Sequence, residues 1–295
     1  MDFGKKIING RQMAEKIKKE VRQKIIKLTE KTKKRPCLAA IIVGDDLASR
    51  IYVKNKEKAC NFCGIKLIKF ELEQKTSEQK LLNLIDQLNN NCDIDGILVQ
   101  LPLPKHIDEK KIINSISPDK DVDCFCPYNV GKLTIGDYDF EKSILPCTAK
   151  GCIKLIKSVC KKLSGKKACV VGRSNIAGRP ISNMLLKENC TVKITHSKTV
   201  NLKNETKDAD ILVIAVGKPK LIKSDMVKKG AIVIDVGINR TKSGKICGDV
   251  DFDNVVKKTS YITPVPGGVG CMTVACLMEN ILNAFLQHNN FRIKK

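Results

Sequence analysis

The stretch Ala168 to Pro180, ACVVGRSNIAGRP, decides how the chain is read. A short apolar run, Ala168 to Val171, meets a loop holding Gly172 and Gly178, and a helix-like segment follows from Ile181 to Leu186. Strand, glycine turn and helix start, in that order, offer backbone N–H groups to a diphosphate, because the first N–H groups of a helix have no partner within it. Ser174 stands where the common G-x-G-x-x-G pattern has its second glycine. Taken alone, the stretch is equally an ordinary tight turn between a buried strand and its helix. Its surroundings decide.

Downstream the alternation continues. Thr191 to Thr195 is a strand followed by His196, Ser197 and Lys198; Ala209 to Val216 is a strand ended by Gly217-Lys218-Pro219. Ala231 to Val236 ends at Gly237, and Tyr261 to Thr263 runs into the rigid loop PVPGGVG, Pro264 to Gly270, before a last helix from about Met272 to Gln287. Strand ends punctuated by Gly or Pro and pointing one way suit a shared ligand crevice in an open parallel sheet. A site for NAD places Asp or Glu near the ribose hydroxyls, about 20 residues past the glycines. Here the second strand ends in His196-Ser197-Lys198 with no acid, and Arg173 lies inside the glycine loop. A cation and hydroxyl donors suit a 2′-phosphate, so NADP is expected.

Upstream, apolar residues at Met13, Ile17, Val21, Ile25 and Leu28 predict a helix over Gly10 to Thr32. Cys37 to Val43, CLAAIIV, is a continuous apolar run of strand length, as in a strand buried on both faces. A helix from Ala48 to Cys63, a strand from Ile65 to Leu72, a helix from Thr76 to Asn90 with Ser77 as cap, and a strand from Asp95 to Gln100 complete a βαβαβ run, and LPLP follows at once. Tyr52 and Lys56 are four apart, so they leave one face of their helix. A bare surface pair would look the same, but the topology brings Tyr52, Lys56 and Gln100 toward one set of strand ends. Asp119, Asp121 and Asp123 lie in the turn-rich segment Pro118 to Asn129, which alone reads as a solvated loop, and Gly131 to Ile144 shows no clear period. Thr148 is a good N-cap for a helix to Leu163, and the domain boundary falls there.

Composition narrows the classes. The 295 residues suffice for two cores, and 42% hydrophobic residues exclude general disorder. No run reaches the roughly 18 apolar residues of a membrane span. Lys plus Arg is 54 against 31 Asp plus Glu, a net +23 that favours anionic partners. Nucleic acid is not expected: no reading element is present, aromatic residues are 4%, and the lysines spread over helices such as KIKKEVRQKIIKL. Of the 14 cysteines only Cys60 and Cys63 form a C-x-x-C, with no histidine cluster near. Reduced, buried thiols are expected, and no metal site.

Seven blocks now carry a resemblance: YVKNKEKAC from Tyr52, DGILVQLPLP from Asp95, SPDKDVD from Ser117, GRSNIAGRP from Gly172, AVGKP from Ala215, GAIVIDVGIN from Gly230 and YITPVPGGVG from Tyr261. In this order they resemble the bifunctional methylenetetrahydrofolate dehydrogenase/cyclohydrolases from about Ile7 to the final helix. The resemblance implies oxidation of methylenetetrahydrofolate with NADP, then hydrolysis of the methenyl cation to 10-formyltetrahydrofolate. It implies a catalytic Lys56 with Tyr52, Gln100 and Asp123 around it. Tyr52, Gln100, Leu101, Asp123, Pro264, Gly267 and Gly268 would bind the folate. Gly172, Arg173, Ser174, Ser197 and Ile238 would bind NADP. It also implies an α/β fold of two domains about a cleft. A βαβ-type folate-binding domain, 1–147, would take back the C-terminal helix 272–295, beside a Rossmann-like NADP-binding domain, 148–271. A homodimer, substrates that include polyglutamylated folates, and no membrane partner are the matching expectations. The similarity leaves six residues before Ile7, too few for a transit peptide, so a cytoplasmic location is expected.

The chemistry is consistent with those residues. Loss of hydride leaves an amidinium-like cation that water must attack at carbon, and a lysine can shuttle the protons when its surroundings disfavour the ammonium. Gln100 can hold the amine, Tyr52 can pack on the bound ring, and the carboxylate of Asp123 can accept paired pterin N–H donors. Three positions depart from the family pattern: Cys124 for a glycine after DVD, Cys271 for a proline after PVPGGVG, and Ala149 for a proline after PCT. If position 124 needs a positive φ, the Asp123 loop is the part put in question. The neighbouring readings are a dehydrogenase without the hydrolase step, one that uses NAD, and a basic nucleic-acid-binding protein.

Overall fold

A computed structural model describes residues 4–241 and 244–289. The chain forms two compact units, each with its own parallel sheet. The first holds residues 15–132, 138–145 and the chain from 274 onward; the second holds the first 14 residues together with 133–137 and 146–273.

In the first unit, helix α1 (Gly10–Thr32), whose first residues to Ala14 group with the second unit, precedes strand β1 (Cys37–Val43), helix α2 (Leu47–Cys63), β2 (Lys66–Leu72), α3 (Glu78–Asn90) and β3 (Gly96–Val99). The sheet order is β2-β1-β3, all parallel. Every residue of β1 is buried, as a central strand covered on both faces must be. Its alternate residues Cys37, Ala39, Ile41 and Val43 meet Leu81, Ile85 and Leu88 of α3 in one core, and each such large aliphatic contributes about 2 kcal/mol over an exposed position. Ser77 caps α3 by accepting from the Lys80 N–H. On α1, Ala14, Ile17, Val21 and Ile25 are the buried stripe and the lysines lie mostly outside it.

The second unit runs α6 (Cys147–Val159), β4 (Lys167–Val171), α7 (Gly178–Lys187), β5 (Thr191–Thr195), α8 (Leu202–Thr206), β6 (Ile211–Ile214), β7 (Ile232–Asp235), β8 (Asn239–Arg240), β9 (Ile246–Cys247), α9 (Phe252–Val255) and β10 (Tyr261–Ile262). Its five-stranded order, β10-β7-β6-β4-β5, is the doubly wound 2-1-3-4-5 arrangement, with its switch point between β4 and β6. β6 and β7 are buried throughout, and β8 with β9 forms a separate antiparallel hairpin.

Several expectations change. Two helices follow β3 that periodicity missed: α4 (Glu109–Ser115), capped by Asp108, and α5 (Pro127–Ile135). Thr148 is not a cap: α6 starts at Cys147 behind Pro146, and the Thr148 hydroxyl lies 3.2 Å from that of Thr273. The last helix, α10 (Val269–His288), begins three residues early, so Cys271 sits in its first turn. α10 does have the length and apolarity of a membrane span, with mean hydropathy 1.5, but 67% of that stretch is buried inside the protein, as in a core helix. Residues 4–14 group with the second unit, where Ile7 bridges Ile262 and the Ile8 N–H donates to the Ile262 carbonyl at 2.9 Å.

Candidate active site

In the first unit the sheet's switch point lies between β1 and β3, and Gln100 is the first residue past β3, its N–H donating to the Ile41 carbonyl at 2.9 Å. The Lys56 amine donates to Gln100 Oε1 at 3.0 Å, and Gln100 Nε2 donates to the Leu101 carbonyl at 2.7 Å. Leu101 is thereby a backbone partner of the site, and its peptide bond to Pro102 is cis. Tyr52, one turn before Lys56 on α2, keeps 44% of its surface exposed. Asp123 lies within Coulombic reach of Lys56: burial raises its carboxyl above the usual range, the lysine charge pulls it down, and Asp121 adds to the rise.

The loop carrying Asp123 is not a solvated turn. Lys120 and Asp121 are both buried. The Lys120 amine donates to the carbonyls of Leu88, Asn89 and Asn91 at the end of α3. The Asp121 carboxylate accepts the Cys126 N–H at 2.8 Å and the Asn129 amide at 3.3 Å. Asn280 of α10, fully buried, donates to the carbonyls of Val122 and Leu145. Cys124 takes φ +61°, so the left-handed conformation is kept without glycine.

In the second unit the glycine loop sits at the switch point. Gly172 has φ +121°, and a Cβ there would collide with the Ala215 carbonyl past β6, so β4 and β6 can end this close only at glycine. The Gly178 N–H reaches the Ser174 hydroxyl at 3.4 Å, and the Arg179 N–H the Ser174 carbonyl at 3.1 Å. Those two helix-start groups are therefore engaged within the loop. Arg173 and Ser174 are exposed on the loop, and Ser197 and Lys198 are exposed on the turn after β5. That turn is closed by the His196 N–H on the Thr199 hydroxyl at 2.9 Å and the Lys198 N–H on His196 Nδ1 at 3.1 Å. Glu205 pairs with Lys193 at 2.7 Å. Ile238 is 49% exposed just past β7, and its Cδ1 lies beside Gly270 at the start of α10. Pro264, Gly267 (φ +105°) and Gly268 form the loop ahead of that helix; they and the Lys56 group belong to different units.

Two buried carboxylates escaped the sequence reading. Asp235, ending β7, accepts the N–H groups of Gly237, Asp249 and Val250 at 2.9–3.0 Å. Burial pushes it up to about 6, with those N–H bonds opposing and the Asp249 charge adding. Asp249 accepts the N–H groups of Val216, Gly217 and Lys218 and the Asn239 amide. Their signal was an acid inside an apolar strand end, IVIDVG, and one between glycine and valine, GDV.

A glycine loop at the switch point of one doubly wound sheet, and a lysine held at the switch point of another, define a two-unit α/β enzyme of the dinucleotide-binding type. Residues 8–123 match the tetrahydrofolate dehydrogenase/cyclohydrolase catalytic domain, and residues 146–289 match the NAD(P)-binding domain of the same family. The bifunctional protein FolD of Campylobacter hominis is 55% identical over 278 residues, 94% of this chain and 96% of that protein. The crystal structure of the bifunctional FolD of Campylobacter jejuni superposes with a TM-score of 0.92 at 49% identity, covering 95% of this chain and 99% of that one. A Trypanosoma brucei FolD complexed with NADP cofactor and inhibitor superposes with a TM-score of 0.90 at 38% identity, covering 95% and 97%. The chain belongs to the tetrahydrofolate dehydrogenase/cyclohydrolase family. Among the described residues no cluster of three metal-ligating side chains is present, and the cysteines are free thiols.

Proposed function

We infer that this chain oxidises 5,10-methylenetetrahydrofolate with NADP and hydrolyses the resulting 5,10-methenyl form to 10-formyltetrahydrofolate. The observation that carries the reading is the Lys56 amine fixed 3.0 Å from Gln100 Oε1, with Tyr52 exposed one turn earlier on the same helix. The second unit fits the dinucleotide: Gly172 leaves no room for a side chain at the switch point, Arg173 and Ser197 are exposed, and no acid stands at the end of β5. When bound, NADP accepts the hydride from the methylene carbon.

Each residue then has a task. Arg173, with Ser197, holds the 2′-phosphate, Gly172 and Ser174 shape the loop against the dinucleotide, and Ile238 packs at the nicotinamide. Tyr52 covers the folate ring, Leu101 lines it, and the carboxylate of Asp123 accepts the pterin N–H donors. In the hydrolysis, water adds to the methine carbon and its proton passes to Lys56 Nζ. The bond from that carbon to N5 breaks as the added oxygen gives up its remaining proton to become the formyl C=O; N5 takes up one proton, one is released to solvent, and the carbon remains on N10 as the formyl group. Gln100 Oε1 holds the amine at the angle this requires. Folate binding belongs to the unit of β1–β3 and NADP binding to the unit of β4–β10. We extend the reading to polyglutamylated folates, whose anionic tails suit a chain of net charge +23, to a homodimer, and to a cytoplasmic enzyme of one-carbon metabolism. The test follows methenyl absorbance and NADPH together from methylenetetrahydrofolate. NADPH should rise while the methenyl form stays low, and lasting accumulation of the cation would remove the hydrolase from the reading.

A further inference from the structure

Asp249 is fully buried just past hairpin β8–β9 and is itself assigned to no ligand above. Its Oδ2 accepts the N–H groups of Val216 at 2.8 Å and Gly217 at 3.0 Å. Its Oδ1 accepts the Lys218 N–H and the Asn239 side-chain amide, each at 2.8 Å. Four donors fill the roughly four acceptor positions of a carboxylate. They arrive from two segments: the loop past β6, at the switch point, and the residue following Ile238. A Cβ at Gly237 would fall on the Asp249 carboxylate, so the chain before Ile238 also lies directly against it. The Asp249 main chain is itself held, its N–H by Asp235 and its carbonyl by the Ile222 N–H at 3.0 Å.

We propose that Asp249 is a positioning residue of the dehydrogenase reaction: one buried carboxylate sets the 216–218 loop and the Ile238 segment in fixed register for the nicotinamide end of NADP. The proposal rests on the reading that Ile238 packs at the nicotinamide. Consecutive N–H groups of a loop beside a diphosphate site would otherwise compete for the ligand; here they point inward, and the loop's shape is set before NADP arrives. A carboxamide of the same size cannot replace the carboxylate, because its buried NH2 would face two part-buried N–H donors and find no acceptor there.

The two activities of one chain supply the control, since hydrolysis of added methenyltetrahydrofolate uses no NADP. Asp249→Asn should raise KM for NADP about tenfold or more, and KM for NAD by a similar factor, with hydrolysis of added methenyltetrahydrofolate changed by less than about twofold. Asn239→Ala, which removes one donor and leaves the carboxylate, should give the same split at a few-fold size. If Asp249→Asn does not fold, Asn239→Ala decides. An unchanged KM for NADP, or equal loss of both activities in a folded variant, overturns the proposal. Ile238→Ala separates the underlying reading: if it leaves KM for NADP unchanged, the nicotinamide assignment fails, and if it raises KM while Asp249→Asn does not, only the role of Asp249 fails.

Discussion

The Lys56 amine and the Gln100 side-chain oxygen are 3.0 Å apart, and the bond from Gln100 Nε2 to the Leu101 carbonyl decides which end of the amide the lysine meets. A glutamine held by its own neighbour cannot turn its NH2 toward the amine without losing that bond. Lysine position is thus written into the start of the LPLP loop. Lys56→Met should lower cyclohydrolase activity about a hundredfold or more and leave measurable dehydrogenase activity, because proton transfer serves only the first. The check is NADPH formation with methenyl accumulation; full hydrolysis by the variant would remove Lys56 from its role.

Arg173 is exposed on the glycine loop and no acid stands at the end of β5. Arg173→Ala should raise KM for NADP about tenfold or more and barely move KM for NAD, since only NADP carries the phosphate a guanidinium holds. Equal changes for both cofactors would mean that Arg173 does not read that phosphate. This pattern differs from the one expected of Asp249→Asn, which treats the cofactors alike.

His288, near the end of α10, places Nε2 at 3.0 Å from Asp119 and Nδ1 at 3.4 Å from Asp95. Two acceptors on one ring call for the imidazolium, and the Asp95 bond, against burial, raises its pKa above 6.5 with Asp119 adding to it. Because the native value lies above the unfolded one, the stabilisation is complete below 6.5 and is lost as pH rises through the native value. His288→Gln should therefore lower Tm most at about pH 6, with the gap to the parent closing at higher pH. Thermal melts of both proteins across that range test it; a constant gap would mean the ring's charge contributes nothing.

Cys124 holds a left-handed conformation beside Asp123 and is buried. A β-branched residue tolerates that conformation worst. Cys124→Val should lose at least about 2 kcal/mol in urea unfolding, from strain and overpacking together, while Cys124→Gly should stay within about 1 kcal/mol of the parent. Folate KM should rise with valine. A valine variant of parental stability would show that the turn relaxes freely.

Elements with strong periodicity were legible: α1, β1 and β5 fall where the residue pattern puts them. The elements missed are short or have little to bury. α5 spans nine residues, with Leu133 its buried residue and Ile135 78% exposed, so no apolar stripe forms. The strands of the β8–β9 hairpin are two residues each, below any period. Gln100 and Lys56 could be paired from topology because Gln100 directly follows β3 and the helix carrying Lys56 follows β1, the strand next to it. Asp235 and Asp249 could not, since they are held by backbone N–H groups, and every non-proline residue carries one. The reading of Thr148 as a cap failed because Pro146 already turns the chain into α6.

Lys120 differs from the surface lysines in what reaches it. Its amine is spent on three carbonyls where α3 ends, and its side chain is buried. An amine-directed acylating reagent should mark the surface lysines first and Lys120 only when the end of α3 parts from the segment that leads to Asp123. The rate at which that one site is labelled, read by peptide mass, is a clock for the opening of the turn that carries Asp123. Bound folate, by holding Asp123, should slow it.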